Sequence, residues 1–347
     1  MGNCKIANVT PYSNCQYRST GLAIADWKNW NGSYANFSTH RTNAREVDVI
    51  RNYGAYVSGH FVLAKGLNLI LGGRMSSYQY YSGIYNKKNA YSASSGSMNQ
   101  NAVLTPFTGI VYDLTKNISI YGSYTNIFTP QSSYRDANNQ PLSPVLGKSY
   151  ETGLKGEFFH SRLNTSLAFY LNNQNNVAKT TGITNSITGN TIYTSANGVK
   201  TEGVDFDISG QISRGWNVLF GYSYLQEKGL GYQEDPHNLI KMSTTYNFQG
   251  ALHNLTIGGG FSTQTSTSWP VNPGRPLDNR KYDASNLYLN GYTLINLMAR
   301  YRLTNWLSLT GNISNLTDKT YYRQAGFYDG AIYGQPRTFY FTIRGRY

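Results

Sequence analysis

Five histidines and two cysteines are the first residues in this chain to consider for a metal site or a nucleophile–base pair. His40, His60, His160, His237 and His253 are scattered among regions that read as loops, strands and turns. No two of them share a ligand spacing, and no nucleophile–base pair falls at one position in the sequence. His237 follows Asp235 closely, the one pairing a hydrolase could use, but Pro-His at the end of a loop reads as structural. Cys4 and Cys15 match no metal motif. They could close a loop disulfide in an oxidising compartment or stand as two free thiols. No phosphate-binding glycine loop or recognition helix is present.

The remaining chemistry is cationic and aromatic. Thirty Lys and Arg against 17 Asp and Glu give a net charge of +13, and 31 tyrosines carry much of the apolar weight. The basic residues are spread over many segments rather than gathered on one element, which argues against nucleic acid. They suit an electrostatic funnel for an anionic small ligand, or contacts to surface phosphates.

These residues need a scaffold, and the apolar pattern supplies one. Only 14% of residues are charged, mean hydropathy is −0.46, and no run of 18 apolar residues exists. Period-two alternation predicts strands instead. They are Ile50–Leu63, Leu67–Tyr81, Thr105–Tyr112, Ser119–Phe128, Ser149–Phe159, Arg162–Val177, Gly198–Ile212, Trp216–Gln226, Asn238–Asn247, Leu255–Thr267, Gly291–Tyr301, Trp306–Asn315 and Thr338–Tyr347. In the ninth-from-last residue onward, "FYFTIRGRY", Phe339, Phe341, Ile343 and Tyr347 face one way and Thr342, Arg344 and Arg346 the other. One face suits hydrocarbon and the other suits water.

Connections between these strands alternate between short and long along the whole chain. A transmembrane barrel does this because one rim carries tight turns and the other extended loops. The expected fold is therefore an all-β, antiparallel outer-membrane barrel of 13 or 14 strands, the last descending to end at the periplasmic rim. Residues 1–49 are expected to be mostly extracellular loop, with room for a partial strand near Gln16–Ala23, and residues 50–347 to be the barrel. The N-terminus shows no signal peptide, so an exported protein with this sequence is expected to be a fragment or a broken frame.

Four stretches carry a resemblance. "LTPFTGIVYDLTKNISIYGSYTNIFTPQSSYRDANNQPLSPVLGKSYETGLKGEFF", "VLAKGLNLILGGR", "GVKTEGVDFDISG" and "PHNLIKMSTTY" resemble the barrel of TonB-dependent ferric siderophore receptors of the coprogen, rhodotorulic acid and pyoverdine-type subgroup. "ISNLTDKTYY" resembles the family's penultimate-strand end, with Asn315, Leu316, Asp318, Lys319 and Tyr321 at its signature positions and Thr317 where an aromatic is more usual. Asn and Asp there can bond their own backbone where a ladder stops. Tyr347 resembles the terminal aromatic that barrel-assembly machinery reads.

The resemblance implies a 22-stranded barrel plugged by an N-terminal domain, of which this chain holds the C-terminal strands and no plug. It implies a receptor, not an enzyme, for ferric siderophores, whose iron is already wrapped by the siderophore. No protein metal ligands or cofactors are then required. Trp30, Tyr78, Tyr80, Arg135, Trp269, Arg275 and Tyr328 are the expected ligand contacts, on loops and at a strand top. Tyr78 and Tyr80 share a face by alternation, although sequence does not fix which one. Expected partners are the siderophore, outer-membrane lipid and lipopolysaccharide, the assembly machinery, and the TonB complex only where a plug is present. The other reading, a small passive barrel, requires the strand from Ile50 to close against Thr338–Tyr347.

Overall fold

The computed structural model describes residues 44–86, 91–185, 190–231, 235–270, 286–327 and 330–346. Cys4, Cys15, Trp30, Arg275, Tyr328 and Tyr347 lie outside them, as do the expected loop and partial strand before residue 44. The described residues form 19 strands and one short 3-10 turn.

Thirteen strands form one antiparallel sheet in simple meander order. They are β1 (Ala44–Ala64), β2 (Leu67–Asn86), β3 (Tyr91–Asp113), β4 (Ile118–Arg135), β5 (Pro141–Phe158), β6 (Leu163–Asn175), β9 (Val199–Ser213), β10 (Trp216–Lys228), β11 (Asn238–Asn247), β12 (Leu255–Gln264), β15 (Tyr292–Arg302), β16 (Leu307–Ser314) and β19 (Thr338–Gly345). The other six make three separate hairpins: β7 (Val177–Thr184) with β8 (Thr191–Ala196), β13 (Thr267–Pro270) with β14 (Asn286–Leu289), and β17 (Tyr322–Phe327) with β18 (Gly330–Tyr333).

The expected two-faced character is present. Register places Leu71, Leu104, Ile110, Ile120, Leu154 and Phe169 on one face, and Phe339, Phe341 and Ile343 continue it at the other end. All are exposed, as lipid-facing residues of an isolated wall are. The opposite face carries polar pairs between strands. Tyr121 donates to Glu151 Oε1 at 2.6 Å, Lys155 lies 4.8 Å from the Tyr121 ring centre, and Ser223 donates to Asp205 Oδ1 at 2.6 Å. This is the polar, lumen-side face of the wall.

β1 and β19 occupy opposite ends of the strand order and do not pair with each other. The self-closing small barrel therefore does not form among the described residues. Unpaired edge groups in hydrocarbon cost several kcal/mol each, so further strands must cover both edges in a membrane.

The largest differences from the sequence reading lie in β1 to β4, whereas β6, β12 and β16 end two, three and one residues earlier than read. The short turns stand where expected, but β1 to β4 continue past the bilayer on the long-loop side. β1 begins at Ala44 rather than Ile50, β3 begins at Tyr91 rather than Thr105, and β4 runs to Arg135 rather than Phe128. A strand needs about 10 residues to cross the hydrocarbon, and β2 has 20. The excess stands in water, where neither face need be apolar. Three of the expected long loops, after Val177, Ser268 and Leu316, contain the separate hairpins.

At this upper rim an ion-pair group faces outward. Lys200 and Lys228 Nζ lie 2.6 and 2.8 Å from the Glu202 carboxylate. Hydrogen bonds from the two lysines hold the Glu202 pKa down from 4.5 to about 2. Because the folded value is the lower one, the bridge contributes fully above pH 4.5 and is lost as pH falls through about 2. The Glu202 carboxyl carbon should titrate near pH 2 and move back towards 4.5 in Lys200→Gln/Lys228→Gln; a wild-type midpoint near 4.5 contradicts the bridge.

Candidate functional site

Three of the expected contact residues meet. Tyr78 and Tyr80 lie on the water-extended part of β2, on the same face as Arg74, which is the lumen face. Their neighbours across β3 are Gln100 and Met98. Tyr78, Tyr80 and Met98 are each under 9% exposed and pack together, with Phe128 of β4 against them.

Their hydroxyls reach two further strands. Tyr78 Oη and Ser132 Oγ of β4 are 2.8 Å apart. Tyr80 Oη donates to Asp48 Oδ1 of β1 at 3.2 Å and accepts from Arg135 Nη2 at 2.5 Å. The Arg135 guanidinium carbon stands 5.2 Å from the Tyr80 ring centre. Burial raises the Tyr80 pKa, while the Ser82 hydrogen bond and Arg135 oppose it. Tyr80 is therefore a neutral phenol at physiological pH, bridging an acid and a base.

Local sequence explains how Arg135 arrives there. Asp136 Oδ1 accepts from the backbone N–H groups of Asn138 and Gln140 at 2.9 and 2.8 Å, and Asn139 takes φ +62°. This Asx-type turn is chemistry that Asp-Ala-Asn-Asn supplies. Gly96 of β3 has φ +146°, and a Cβ there would lie 2.0 Å from Arg135 Nη1. Glycine leaves the channel through which the guanidinium crosses β3.

A second part of the wall was missed by sequence reading. Gln131, nearly buried, donates to the carbonyls of Ser143 and Asn176, both at 2.5 Å, and accepts from Ala178 N–H at 3.1 Å. It fastens the β7–β8 hairpin to the tops of β4 and β5. Tyr134 packs edge-on to Tyr193 of that hairpin, with ring centres 4.8 Å apart. Beside them lies a cavity of about 290 Å³ lined by Gln131, Tyr134, Val177, Glu227, Leu230 and Asp235 among others. Asp235 stood out in the sequence only for its closeness to His237, and Glu227 carries no motif that could have flagged it.

Other expected residues fall elsewhere. Trp269 is on β13, in a hairpin separate from the main sheet. Asn315, Leu316, Asp318, Lys319 and Tyr321 form the joint between β16 and β19. Asn315 Nδ2 donates to the carbonyls of Lys319 and Gln335 at 2.9 and 3.1 Å, and its Oδ1 accepts from Lys319 N–H at 2.8 Å. Asp318 instead reaches across the loop, accepting from Arg337 N–H at 2.8 Å. Leu316 N–H bonds the Ile295 carbonyl at 2.8 Å, and the Tyr321 ring lies tilted against Tyr292, with ring centres 4.4 Å apart. His237 Nδ1 sits 2.8 Å from the Leu225 carbonyl, with its ring over Tyr224, a structural placement.

This wall of lipid-facing and lumen-facing strands has known counterparts. The family model described as "TonB dependent receptor-like, beta-barrel" matches residues 7–316. The chain belongs to this family. It is a wall of an outer-membrane β-barrel, and the family consists of receptors rather than enzymes.

Among curated relatives, the ferripyoverdine receptor of Pseudomonas aeruginosa is 36% identical over 328 residues, covering 92% of this chain and 38% of that protein. The ferric-pyoverdine 358 receptor of Pseudomonas putida is 37% identical over 300 residues, covering 85% of this chain and 35% of that one. The crystal structure of the Pseudomonas aeruginosa ferripyoverdine receptor bound to ferripyoverdine superimposes with a TM-score of 0.71 at 35% identity, covering 86% of this chain and 39% of the receptor. The chain thus spans well under half the length of the relatives it matches.

Proposed function

We propose that this chain forms the wall and outer loops of an outer-membrane receptor that captures a ferric siderophore of the pyoverdine type. The observation that carries the reading is the Tyr78–Tyr80–Arg135 cluster on the lumen face at the loop-side rim. Pyoverdine receptors are the relatives at 36 and 37% identity, which supports the ligand class.

The chemistry fits. Iron is cargo, held by siderophore oxygens, so the protein supplies shape, aromatic surface and donors. Arg135 can donate to a chelate oxygen from a position set by Tyr80, and the exposed Tyr134 offers a ring beside the Glu227/Asp235 cavity. The buried rings of Tyr78 and Tyr80 act chiefly by holding Arg135 and Ser132 in place. Trp30, Trp269, Arg275 and Tyr328 would complete the vestibule from the loops. The strands from Ala44 onward would serve as the barrel part, and the segment before them as an outer loop. Active uptake would need the plug and the TonB complex. Lipid, lipopolysaccharide and the assembly machinery would be met as by any such barrel.

Arg135→Ala tests this. A hydrogen bond to a charged group is worth about 1.5–3 kcal/mol, so ferric pyoverdine should bind about 10- to 100-fold more weakly to cells displaying the variant. Wild-type binding at normal surface levels of the variant overturns the assignment.

A further inference from the structure

The hydrocarbon face is not uniformly bulky. Register sets two rows of outward residues across the strands from β10 to β19. The row nearer the short turns runs Trp216, Tyr246, Ile257, Ala299, Gly311, Phe341. The next row up runs Thr244, Gly259, Leu297, Ile313, Phe339. Small residues fill the β11–β12 part of the upper row and the β15–β16 part of the lower one. They make a hollow across four strands, roughly 14 Å from side to side. Trp216, Tyr246 and Ile257 stand along one edge of it, and Phe339 and Phe341 along the other. The space between them measures about 750 Å³, within the range of pockets that hold small ligands.

The hollow has fixed walls. Trp216 Nε1 donates to Thr244 Oγ1 at 2.8 Å, and Thr244 donates in turn to the Asn217 carbonyl at 2.9 Å. These bonds hold the indole upright and satisfy the hydroxyl of the floor. Tyr246 packs edge-on to Phe248, with ring centres 5.0 Å apart. At Gly311 an added Cβ would meet nothing within 4 Å, and Gly311 is not among the glycines with positive φ. Neither crowding nor backbone conformation therefore demands glycine there, and what its small size preserves is open space.

Depth and charge identify the occupant. Ile257 is the third residue of β12 and Gly311 the fifth of β16, counted from their short-turn ends. About 10 residues cross the hydrocarbon, and short turns are periplasmic in such barrels, so the hollow lies in the periplasmic leaflet. That leaflet is phospholipid, whereas lipopolysaccharide fills the outer one. Arg214, exposed in the turn just before Trp216, is in no ion pair among the described residues. Its place at the rim is the depth of a phospholipid headgroup, whose phosphate a guanidinium binds well.

We propose that the hollow between Trp216 and Phe341 is a binding site for one phospholipid of the periplasmic leaflet, with acyl chain packed on Gly259, Ala299 and Gly311 and phosphate at Arg214. The site stands apart from the siderophore reading, since it lies on the opposite face of the wall.

The test uses the full chain extracted from outer membranes in mild detergent, with native mass spectrometry counting what survives detergent exchange. Wild type should retain one phospholipid per chain. Gly311→Leu fills the hollow and Phe341→Ala removes a wall, and each should lower the retained fraction at least about tenfold through lost apolar contact. Surface hydrophobicity alone would move these two variants in opposite directions. Phe341 is 71% exposed, so its truncation leaves the wall folded and guards against a misfolded Gly311 variant. Arg214→Gln should lower retention by up to about fivefold. Gly122→Leu puts the same side chain on the same face of β4, opposite Ile110, where the nearest atom to a Cβ is 3.9 Å away, and should retain lipid as wild type does. Lipopolysaccharide retained in place of phospholipid, a lipid-free dimer, or wild type stripped of all lipid overturns the proposal. So does wild-type retention in either Gly311→Leu or Phe341→Ala, or an equal loss in Gly122→Leu.

Discussion

Gly210→Ala is expected to abolish most of the folded wall. Gly210 has φ +134°, and a Cβ there would lie 2.0 Å from the Arg162 carbonyl oxygen and 2.9 Å from its carbon. Those atoms are backbone of the neighbouring turn, and the same carbonyl accepts from Gln211 N–H at 2.8 Å, so it cannot swing aside without breaking the ladder. A non-glycine residue in such a backbone region costs about 1–3 kcal/mol. Overpacking adds about 1–3 kcal/mol. The total of about 2–6 kcal/mol is comparable with a domain's whole stability. Heat-modifiable band intensity on gels should drop to about a tenth. Gly311→Ala is the control, because nothing lies within 4 Å of a Cβ there. Equal bands for the two variants would falsify the account.

The wall was legible where hydrocarbon writes the pattern. Phe339, Phe341 and Ile343 alternate with Thr342 and Arg344 because one side meets lipid and the other water, and the structure keeps that division. Above the bilayer the signal vanishes. "SSYQYYSGIYN" and "YSASSGSMNQ" are strand in β2 and β3, yet both faces are wet there, so Ser, Gly, Asn and Tyr occupy either one. Sequence reading therefore stopped these strands early and turned their tops into loop.

The cluster shows the same division. Alternation put Tyr78 and Tyr80 on one face, and the pairing of Tyr80 with Ile50 and Met98 now fixes it. Arg135 was legible only as a basic loop residue. Its contact with Tyr80, 55 positions away, depends on a register shift in β3 near Ala102, where φ is +52°, and on the glycine at 96. Neither follows from local composition. Gln131 and Ser132 were passed over because a polar pair after Thr-Pro resembles any loop until the hairpin it fastens is seen.

Asn315→Ala should produce the other large loss, and it separates two roles within one motif. Asn315 is 3% exposed, sits at φ +51°, and holds three backbone groups through its amide. Alanine leaves those groups buried and unpaired at about 1–3 kcal/mol each and gives up a residue suited to positive φ. A destabilisation of about 3 kcal/mol or more follows. Asp318 shares the positive φ, at +53°, but Asp318→Ala removes only one accepted bond, from Arg337 N–H at an exposed position, so about 1 kcal/mol is expected beyond that shared backbone cost. Thermal loss of the heat-modifiable band should therefore come much earlier in the Asn315 variant, with protease cleavage between residues 316 and 337 as its first sign. The reason is topological. β16 and β19 pair directly but are separated in the chain by the β17–β18 hairpin, so the Asn315 amide, which grips Lys319 at one end of that excursion and Gln335 at the other, closes it. Equal midpoints for the two variants would instead mean that strand pairing alone sets the stability of this corner, and that the Asn at this position serves only its backbone angle.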